Sequence, residues 1–346
     1  SYFIGCGGGG RQGMMFTQRF PELFDGVIAQ APAMSAGQGA TIAAAWTVQQ
    51  LMAVAQADAQ GFRHLATALS SAQLQRLADE VLDRCDAADG LVDGLVGETA
   101  LCRIDLRRLT CPAGGDACLS AAQARALGQV MAGPVNRDGG RLAVGWPWDP
   151  GIAAPGWRAW NLGMATRGEP DARHLTHTSA AAGFVYATPP DPTLTLLSFD
   201  FDRDPLRLDA YHRIYGTAGD VLLKGFRQRG GKLMLIHGMA DPVVSALQTV
   251  DYQQRVNAAH GGAAASRFVR SFLVPGMNHC AGGPATDAFD GLSALVDWVE
   301  RDLAPDRLVA HGTAMRPGIS RPLCPHPKIA RHVGGDPASA DAFACR

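Results

Sequence analysis

The feature that most constrains the fold is a glycine cluster between an apolar run and a helix-compatible segment near the start of the chain. Residues 1–5 are largely apolar, the sequence GCGGGG occupies 5–10, and methionines and phenylalanines recur at helical spacing over 14–20. A second apolar run follows at 26–30. A strand, a tight turn, a helix and a strand in this order predict an α/β fold.

Composition and charge exclude several classes of protein. The chain has 346 residues, of which 47% are hydrophobic and 18% charged, so it has enough apolar side chains for a sizeable core and does not resemble a disordered segment. The formal net charge of −1 gives no electrostatic footprint for nucleic acid or an anionic membrane. No apolar run approaches the roughly 20 residues that a transmembrane helix needs. We therefore expect a globular protein with neither nucleic-acid nor membrane partners.

The sequence pattern changes twice along the chain and predicts three segments. Residues 1–34 form the first part of an α/β domain, and 35–215, which are rich in alanine, tryptophan and acidic turns, form an inserted lid domain. Residues 216–346 return to the α/β pattern. We expect the tail from residue 305 onward, which is rich in proline, glycine and arginine, to lie over the surface.

The eight cysteines contain no C-x-x-C pair, which excludes a zinc ribbon and a thioredoxin-type redox motif. Disulfides are the favoured interpretation, and eight reduced thiols in a cytosolic protein are the alternative. Proximity in the sequence favours three local pairs and leaves one long-range pair: Cys85–Cys102, Cys111–Cys118, Cys324–Cys345 and Cys6–Cys280. Disulfides together with the absence of an N-x-S/T sequon fit an oxidising compartment that does not glycosylate, so we expect a secreted or periplasmic protein.

The glycine cluster has two interpretations. Gly5, Gly7 and Gly10 satisfy the G-x-G-x-x-G pattern of a dinucleotide-binding turn, but that site expects an acidic residue after the next strand, where Gln30 lies. The same residues fit the G-x-S-x-G turn of a hydrolase, with Gly7 at the nucleophile position. The hydrolase interpretation is preferred, and a dinucleotide-dependent oxidoreductase remains the weaker alternative.

Two residues downstream supply the partners that a hydrolase nucleophile needs. Asp241 follows the predicted strand 232–237, and His279 follows the predicted strand 268–274, before a helix predicted at 287–303. An acid followed by a histidine, each on a loop after a strand, is the chain order of the α/β-hydrolase triad. If His279 lies within hydrogen-bond reach of position 7, the neighbouring Cys6 and Cys280 approach the separation that a disulfide requires.

Three segments together resemble the tannase and feruloyl esterase family, which includes the monohydroxyethyl-terephthalate hydrolases. They are GCGGGGRQGMMFTQRFPELFDGVIAQAPA, HGMADP and VPGMNHCAGG, and the resemblance extends from residue 1 to about 325. It implies an α/β-hydrolase fold with a bridged Cys6–Cys280 pair. It also implies a serine nucleophile at position 7, Asp241 and His279 as its partners, and the Gly8 N–H as an oxyanion donor.

The reaction that the resemblance implies is hydrolysis of esters of aromatic acids. Feruloyl and related hydroxycinnamoyl esters are the first expectation, followed by galloyl esters and terephthalate monoesters. Six aromatic side chains of the insertion could line a pocket for such an acid or only fill its core. They are Trp146, Trp148, Trp157, Trp160, Phe184 and Tyr186.

An acidic, glycine-containing loop with the sequence CDAADGLVDGLV suits calcium, which prefers six to eight oxygen ligands. The resemblance implies carboxylate ligands from Asp86, Asp89 and Asp93 and backbone carbonyl ligands from Leu91 and Leu95, in a structural site within the lid. The alternative is a solvated acidic turn.

The chain departs from the family pattern in two ways. Gly7 has no nucleophile, so we expect the chain to be nearly inactive, either through a serine-to-glycine substitution or as a natural pseudoenzyme that binds aromatic esters. The nucleophile strand also has no strand before it, although strands of a parallel sheet normally have neighbours on both sides. The N-terminal part of the sheet is therefore expected from a preceding segment or a separate polypeptide.

Overall fold

The computed structural model describes residues 1–111 and 117–346. The strands are β1 (Tyr2–Cys6), β2 (Gly26–Gln30), β3 (Lys232–Gly238), β4 (Val269–Val274), β5 (Thr286–Phe289), β6 (Leu308–Gly312), β7 (Ser320–Leu323), β8 (Ala330–His332) and β9 (Phe343–Cys345). The α-helices are α1 (Gly8–Arg19), α2 (Ile42–Val54), α3 (Ser71–Cys85), α4 (Ala121–Ala132), α5 (Pro155–Asn161), α6 (Ser179–Ala181), α7 (Asp209–Tyr215), α8 (Lys224–Gln228), α9 (Ala246–His260), α10 (Gly262–Ala265) and α11 (Gly291–Arg301).

Short 3₁₀ and π turns connect these elements. The 3₁₀ turns are Leu65–Thr67, Asp86–Asp89, Thr99–Leu101, Leu106–Leu109, Pro150–Ala153, Asp204–Leu208 and Ala340–Ala342. The π-helical turns are Ala36–Thr41, His174–Thr178 and Ala182–Tyr186. No helix in the described part of the chain is both long and apolar enough to cross a membrane.

The chain divides into two compact units. The first contains Ser1–Met34, Cys85–Leu101 and Thr217–Arg346, and the second contains Ser35–Arg84 and Cys102–Gly216. The acidic segment Cys85–Leu101 thus belongs to the first unit, whereas the sequence boundaries place it in the insertion. Its contacts explain the difference, because arginines more than 220 positions later in the sequence bind its backbone and side chains.

The first unit is built on a parallel sheet with the strand order β1-β2-β3-β4. Side chains alternate across it, because successive residues of a strand face opposite sides. Val27 and Ala29 of β2 join the apolar cluster on one face, and Ile28 joins the cluster on the other. Helices cover both faces, as a parallel sheet requires. The covering residues include Met14, Phe226, Tyr252 and Val256 on the first face and Leu295 and Trp298 on the second.

Strand β1 lies at one edge of this sheet and pairs only with β2 among the described residues. It is half-buried along its length, and Ile4 is 47% exposed. The sheet of the described chain therefore presents one free edge beside the glycine cluster.

The C-terminal region differs from its prediction. Residues 287–303 do not form one helix, because β5 occupies the first part and α11 begins at Gly291, after the Asp290 side chain accepts a hydrogen bond from the Ser293 N–H. The tail is not a loose surface covering either. β5, β6 and β7 form an antiparallel sheet, and Leu308 and Leu323 of this sheet are buried in the core of the first unit.

The second unit is mainly helical. Its core contains Val48 and Leu51 of α2, Leu74 and Leu77 of α3, and Leu127 of α4. The spacing of three residues places Val48 and Leu51 on one face of α2, and Leu74 and Leu77 on one face of α3.

Candidate active site

Gly7 occupies a sharp turn between β1 and α1. Its backbone has φ +60° and ψ −112°, a conformation that residues other than glycine rarely adopt. The Gly7 N–H donates to the carbonyl of Gln30 at 3.0 Å, which anchors the turn to the end of β2. The residue is buried, whereas the following Gly8 is exposed. This strand-to-helix turn has the shape of a nucleophile elbow.

The other glycines of the cluster have a packing role. A Cβ on Gly10 would lie 2.4 Å from the carbonyl oxygen of Gln30, and a Cβ on Gly5 would lie 2.5 Å from the carbonyl of Gly9. Gly5 and Gly10 therefore allow backbone segments to approach more closely than a residue with a Cβ would permit. This packing explains the G-x-G-x-x-G spacing without a bound dinucleotide.

Asp241 lies in the loop after β3, and its side chain is fully buried. Oδ1 accepts hydrogen bonds from the backbone N–H groups of Val243 at 2.7 Å and Val244 at 3.1 Å. Oδ2 lies 2.7 Å from Nδ1 of His279 and 3.2 Å from Nε2 of His237. Burial raises the pKa of the Asp241 carboxyl, but the positive charge of His279 and the hydrogen bonds from His237 and His279 outweigh burial and hold it well below its usual value.

His279 lies in the loop after β4 with its side chain 19% exposed. Burial lowers the pKa of its imidazole, but the negative charge of Asp241 and the hydrogen bond to that carboxylate outweigh burial and raise the pKa above its usual value of 6.5. The preceding Asn278 donates its side-chain amide to the carbonyl of Ala240 at 3.0 Å, which joins this loop to the Asp241 loop.

The third contact of the site joins His279 to the turn at Gly7. A Cβ built on Gly7 would lie 2.8 Å from Nε2 of His279. The structure therefore brings together all three residues that the sequence assigned to the triad, Gly7, Asp241 and His279. Gly8 is the first residue of α1, and the first four N–H groups of a helix have no partner within it.

A disulfide fixes this arrangement. Cys6 precedes Gly7, Cys280 follows His279, and the two are bonded with a Cα–Cα distance of 6.0 Å across 274 positions. These cysteines and His279 also form the only close group of possible metal ligands in the described chain, but the two sulfur atoms are bonded to each other and cannot bind an ion.

The remaining cysteines are also oxidised. Cys111 is bonded to Cys118 and Cys324 to Cys345. Cys85 and Cys102 are disulfide-bonded too, and no cysteine among the described residues is free.

The acidic loop holds two buried carboxylates. Asp86 accepts hydrogen bonds from the N–H groups of Asp93 and Gly94, at 3.2 and 2.7 Å, and Asp89 accepts one from Leu91 at 3.2 Å. Burial raises the pKa of both carboxyls, that of Asp89 to about 6, and the nearby acidic side chains add to the rise. Within the described residues, neither carboxylate is in an ion pair.

Asp93 has a different environment. Its Oδ1 accepts from the Leu95 N–H at 3.0 Å, while Oδ2 forms an ion pair with Arg321, whose Nε lies 3.0 Å away. Arg316 donates to the backbone carbonyls of Asp93 and Gly94. Asp86, Asp89 and Asp93 offer the oxygen ligands that calcium prefers, but their carboxylate oxygens do not all lie within 4.8 Å of one another, and Asp93 would have to exchange Arg321 for the ion.

The aromatic residues of the insertion do not share one environment. Trp157 is buried in the core of the second unit, and Trp146, Trp148 and Tyr186 pack against that core. Phe184 is 62% exposed. Trp160 is half-buried, with the guanidinium carbon of Arg173 5.8 Å from its ring centroid. Packing accounts for Trp157, whereas Trp160 and Phe184 present ring surface to solvent.

Sequence reasoning missed His237, which is fully buried and contacts Asp241. The available signal was a histidine at the end of an apolar strand, four positions before the acid, in the segment HGMAD.

Comparisons with known proteins identify the family. A family described as tannase and feruloyl esterase matches residues 1–346. A mono(2-hydroxyethyl) terephthalate hydrolase from Piscinibacter sakaiensis is 42% identical, with 100% of this chain and 63% of the relative covered. A probable feruloyl esterase B-1 from Aspergillus fumigatus is 28% identical, with 100% and 65% covered. The chain thus spans less than two thirds of the length of these relatives.

The fold also matches a solved structure. The crystal structure of feruloyl esterase B from Aspergillus oryzae superposes with a TM-score of 0.80 at 25% identity, over 100% of this chain and 68% of that one. The parallel sheet with helices on both faces is therefore an α/β-hydrolase fold. The chain belongs to the tannase and feruloyl esterase family.

Proposed function

We propose that this site hydrolyses carboxylic esters by a serine-type mechanism when position 7 carries serine. One observation supports this most strongly: Nε2 of His279 lies 2.8 Å from the position of a Cβ on residue 7, while Nδ1 of the same ring lies 2.7 Å from the buried Asp241. A nucleophile, a general base and an orienting carboxylate in this order form the acyl-transfer arrangement.

The residues act in sequence on an ester. Nε2 of His279 accepts the proton of the hydroxyl at position 7 as the oxygen attacks the carbonyl carbon. Asp241 holds the ring through Nδ1–H and stabilises the imidazolium that forms. His279 then returns the proton to the leaving alcohol, and a water molecule deprotonated by the same nitrogen hydrolyses the acyl-enzyme. The Gly8 N–H donates to the oxyanion of both tetrahedral intermediates.

With Gly7 in place no acyl-enzyme can form, because no oxygen is available to attack. The chain as it stands is then an ester-binding protein that retains the base and the orienting acid. A pseudoenzyme is therefore the second candidate function.

The proposed substrates are esters of aromatic carboxylic acids. The relatives' names support this class, since they specify feruloyl esters and a terephthalate monoester. We propose terephthalate monoesters before the hydroxycinnamoyl esters, because the identity to the terephthalate monoester hydrolase is higher, 42% against 28%.

A substrate panel tests this proposal. The Gly7→Ser form and the parent are assayed on methyl ferulate, methyl gallate and mono(2-hydroxyethyl) terephthalate, in the full chain that carries this sequence. Turnover of at least one ester by the serine form alone supports the proposed hydrolase. If neither form turns over any ester while the parent still binds the corresponding acids in calorimetry, the binding protein replaces it.

The pH dependence of the serine form follows from the raised pKa of His279. Only the neutral imidazole accepts a proton, so kcat/KM is expected to rise with pH and to level off above an inflection that lies higher than 6.5. Steady-state rates on one ester between pH 5 and about 9 measure this inflection. Asp241→Asn is the control, because loss of the carboxylate charge moves the inflection to lower pH. An inflection below 6.5 with Asp241 intact would contradict the assigned base.

We further propose that the acidic loop binds calcium as a structural ion, through Asp86, Asp89 and Asp93 with the carbonyls of Leu91 and Leu95. Its support is the pair of buried carboxylates without an ion-pair partner in the described chain. A bound calcium ion would add positive charge beside these groups, beyond that of Arg316, whose charge lowers the pKa of Asp86.

Calcium is expected to raise the melting temperature of the chelator-treated protein. At a free Ca²⁺ concentration of about 100 times Kd, the stabilisation is roughly 2.7 kcal/mol. Differential scanning fluorimetry with Ca²⁺, with Mg²⁺ and with chelator measures the effect. Asp89→Asn is expected to abolish the response, whereas Asp83→Asn, an exposed acid outside the loop, should retain it. Equal melting temperatures with and without Ca²⁺ would show that the loop is only an acidic turn.

Two further proposals concern the setting of the protein. Its disulfides support a secreted or periplasmic location, where thiols are oxidised.

The free edge of β1, with Ile4 exposed, supports pairing with an additional strand, from a preceding segment or a separate polypeptide.

A further inference from the structure

A second histidine contacts the acid of the candidate triad. His237 is in β3, its side chain is fully buried, and it lies four positions before Asp241. Nε2 lies 2.9 Å from the carbonyl oxygen of Val244 and 3.2 Å from Oδ2 of Asp241. Nδ1 lies 2.7 Å from Oγ1 of Thr249 in α9.

These partners determine where the proton of His237 resides. A backbone carbonyl and an ionised carboxylate only accept hydrogen bonds, so Nε2 carries the proton and donates to both. The Thr249 hydroxyl can donate to Nδ1. One proton on the ring therefore satisfies both nitrogens, and the neutral imidazole serves as a fixed N–H donor to Asp241.

His237 donates to Oδ2 of Asp241, the same oxygen that accepts from His279. Oδ2 of Asp241 is the atom that accepts from His279, whereas Oδ1 is held by the backbone N–H groups of Val243 and Val244. Without His237, the described contacts of Oδ2 reduce to His279 alone. The carboxylate would then be held firmly only through Oδ1. The hydrogen bond to His279 alone would have to set the position of Oδ2.

We propose that His237 is a positioning residue for the reaction: its buried Nε2–H fixes Oδ2 of Asp241 in the orientation that receives His279. This inference rests on the proposed ester hydrolysis, because the orientation of Asp241 affects a reaction rate only if that reaction takes place. His237 itself exchanges no proton with substrate, and Thr249 fixes its tautomer.

The kinetic test uses Gly7→Ser as the background. His237→Leu removes the donor and keeps an apolar side chain, whereas His237→Gln keeps an N–H donor of similar reach. We expect the leucine form to lose on the order of 10- to 100-fold in kcat, with KM changed by less than about two-fold, and the glutamine form to recover most of the loss. The proposal is overturned if the folded leucine form keeps its kcat, or if the glutamine form is equally impaired.

Thr249→Val covers the case in which the leucine form does not fold. It removes the hydroxyl that fixes the tautomer and leaves the ring in place. A smaller fall in kcat at unchanged KM supports the proposal, and an unchanged kcat overturns it.

A proton NMR measurement on the parent with Gly7 is independent of ester turnover. The Nδ1–H of His279, bonded to a carboxylate at 2.7 Å, should give a far-downfield resonance. We expect this resonance in the parent and in His237→Gln, and its loss to solvent exchange in His237→Leu. An unchanged resonance in the leucine form overturns the positioning role. If the resonance behaves as expected while Gly7→Ser turns over no ester, the proposed hydrolysis fails and the assigned contact stands.

Discussion

Gly7→Ser is expected to raise kcat for an aromatic ester by on the order of 10⁶ over the parent, because it supplies a hydroxyl nucleophile beside His279 and Asp241, the proposed base and orienting acid. His279 and Asp241 are already hydrogen-bonded, and Nε2 of His279 faces the position that the new side chain would occupy. The residual rate of the parent reflects only binding and the oxyanion donor.

The same substitution should cost some stability. A side chain at φ +60° is strained by about 1–3 kcal/mol, and a Cβ at 2.8 Å requires the imidazole to move slightly. We therefore expect a lower melting temperature together with higher activity. A lower melting temperature with a higher kcat would show that the gain in activity does not come from general stabilisation of the fold.

Two matched variants control the kinetic measurement. Gly9→Ser adds a serine two positions later, where a Cβ meets no atom within 4 Å, and should leave the rate at the parental level. Gly7→Ser combined with His279→Ala should lose the gain. A Gly7→Ser form that binds the aromatic acid but hydrolyses its ester no faster than Gly9→Ser would refute the serine mechanism for this chain.

Removal of the Cys6–Cys280 disulfide is expected to have the second large effect. The bond joins residues 274 positions apart, and closing a loop of that length stabilises the chain by about 5 kcal/mol in the chain-entropy description. The double substitution Cys6→Ser and Cys280→Ser should lower the free energy of unfolding by an amount of this order. It should also lower kcat in the Gly7→Ser background, because the bond ties the turn at residue 7 to the His279 loop.

The Cys324–Cys345 disulfide provides the comparison. It spans only 21 positions, which corresponds to about 3 kcal/mol, and neither of its residues adjoins the candidate site. Urea denaturation of both double variants measures the stabilities, and steady-state kinetics in the Gly7→Ser background measures the activities. We expect the first variant to lose more stability and much more activity. Equal losses of kcat in the two variants would show that the long-range bond has no special role at the site.

The sequence predicted those parts of the molecule that local pattern determines. The β1-α1-β2 unit is short, and its glycines mark the turn, so alternation and spacing were sufficient. Asp241 and His279 each follow a strand of apolar residues, and their order along the chain matched the triad. In each case the informative residues lie within a few positions of one another.

The parts that sequence reasoning placed differently depend on distant partners. β6 and β7 lie in a tail rich in proline and glycine, and Leu308 and Leu323 are buried because the folded sheet packs them into the core of the first unit. The acidic loop was assigned to the insertion because Arg316 and Arg321, which bind it, lie far away in the sequence. His237 was missed because its contact with Asp241 requires the turn after β3 to fold back on the strand.

The measurement that tests the central claim most directly is covalent labelling of residue 7 by an alkyl fluorophosphonate, followed by peptide mass spectrometry. The reagent reacts with an activated serine and needs no knowledge of the natural ester. We expect one label on the residue 7 peptide of the Gly7→Ser form, none on the parent, and strongly reduced labelling when His279→Ala is added. An unlabelled Gly7→Ser form, or labelling that persists without His279, would contradict a nucleophile activated by His279 and Asp241.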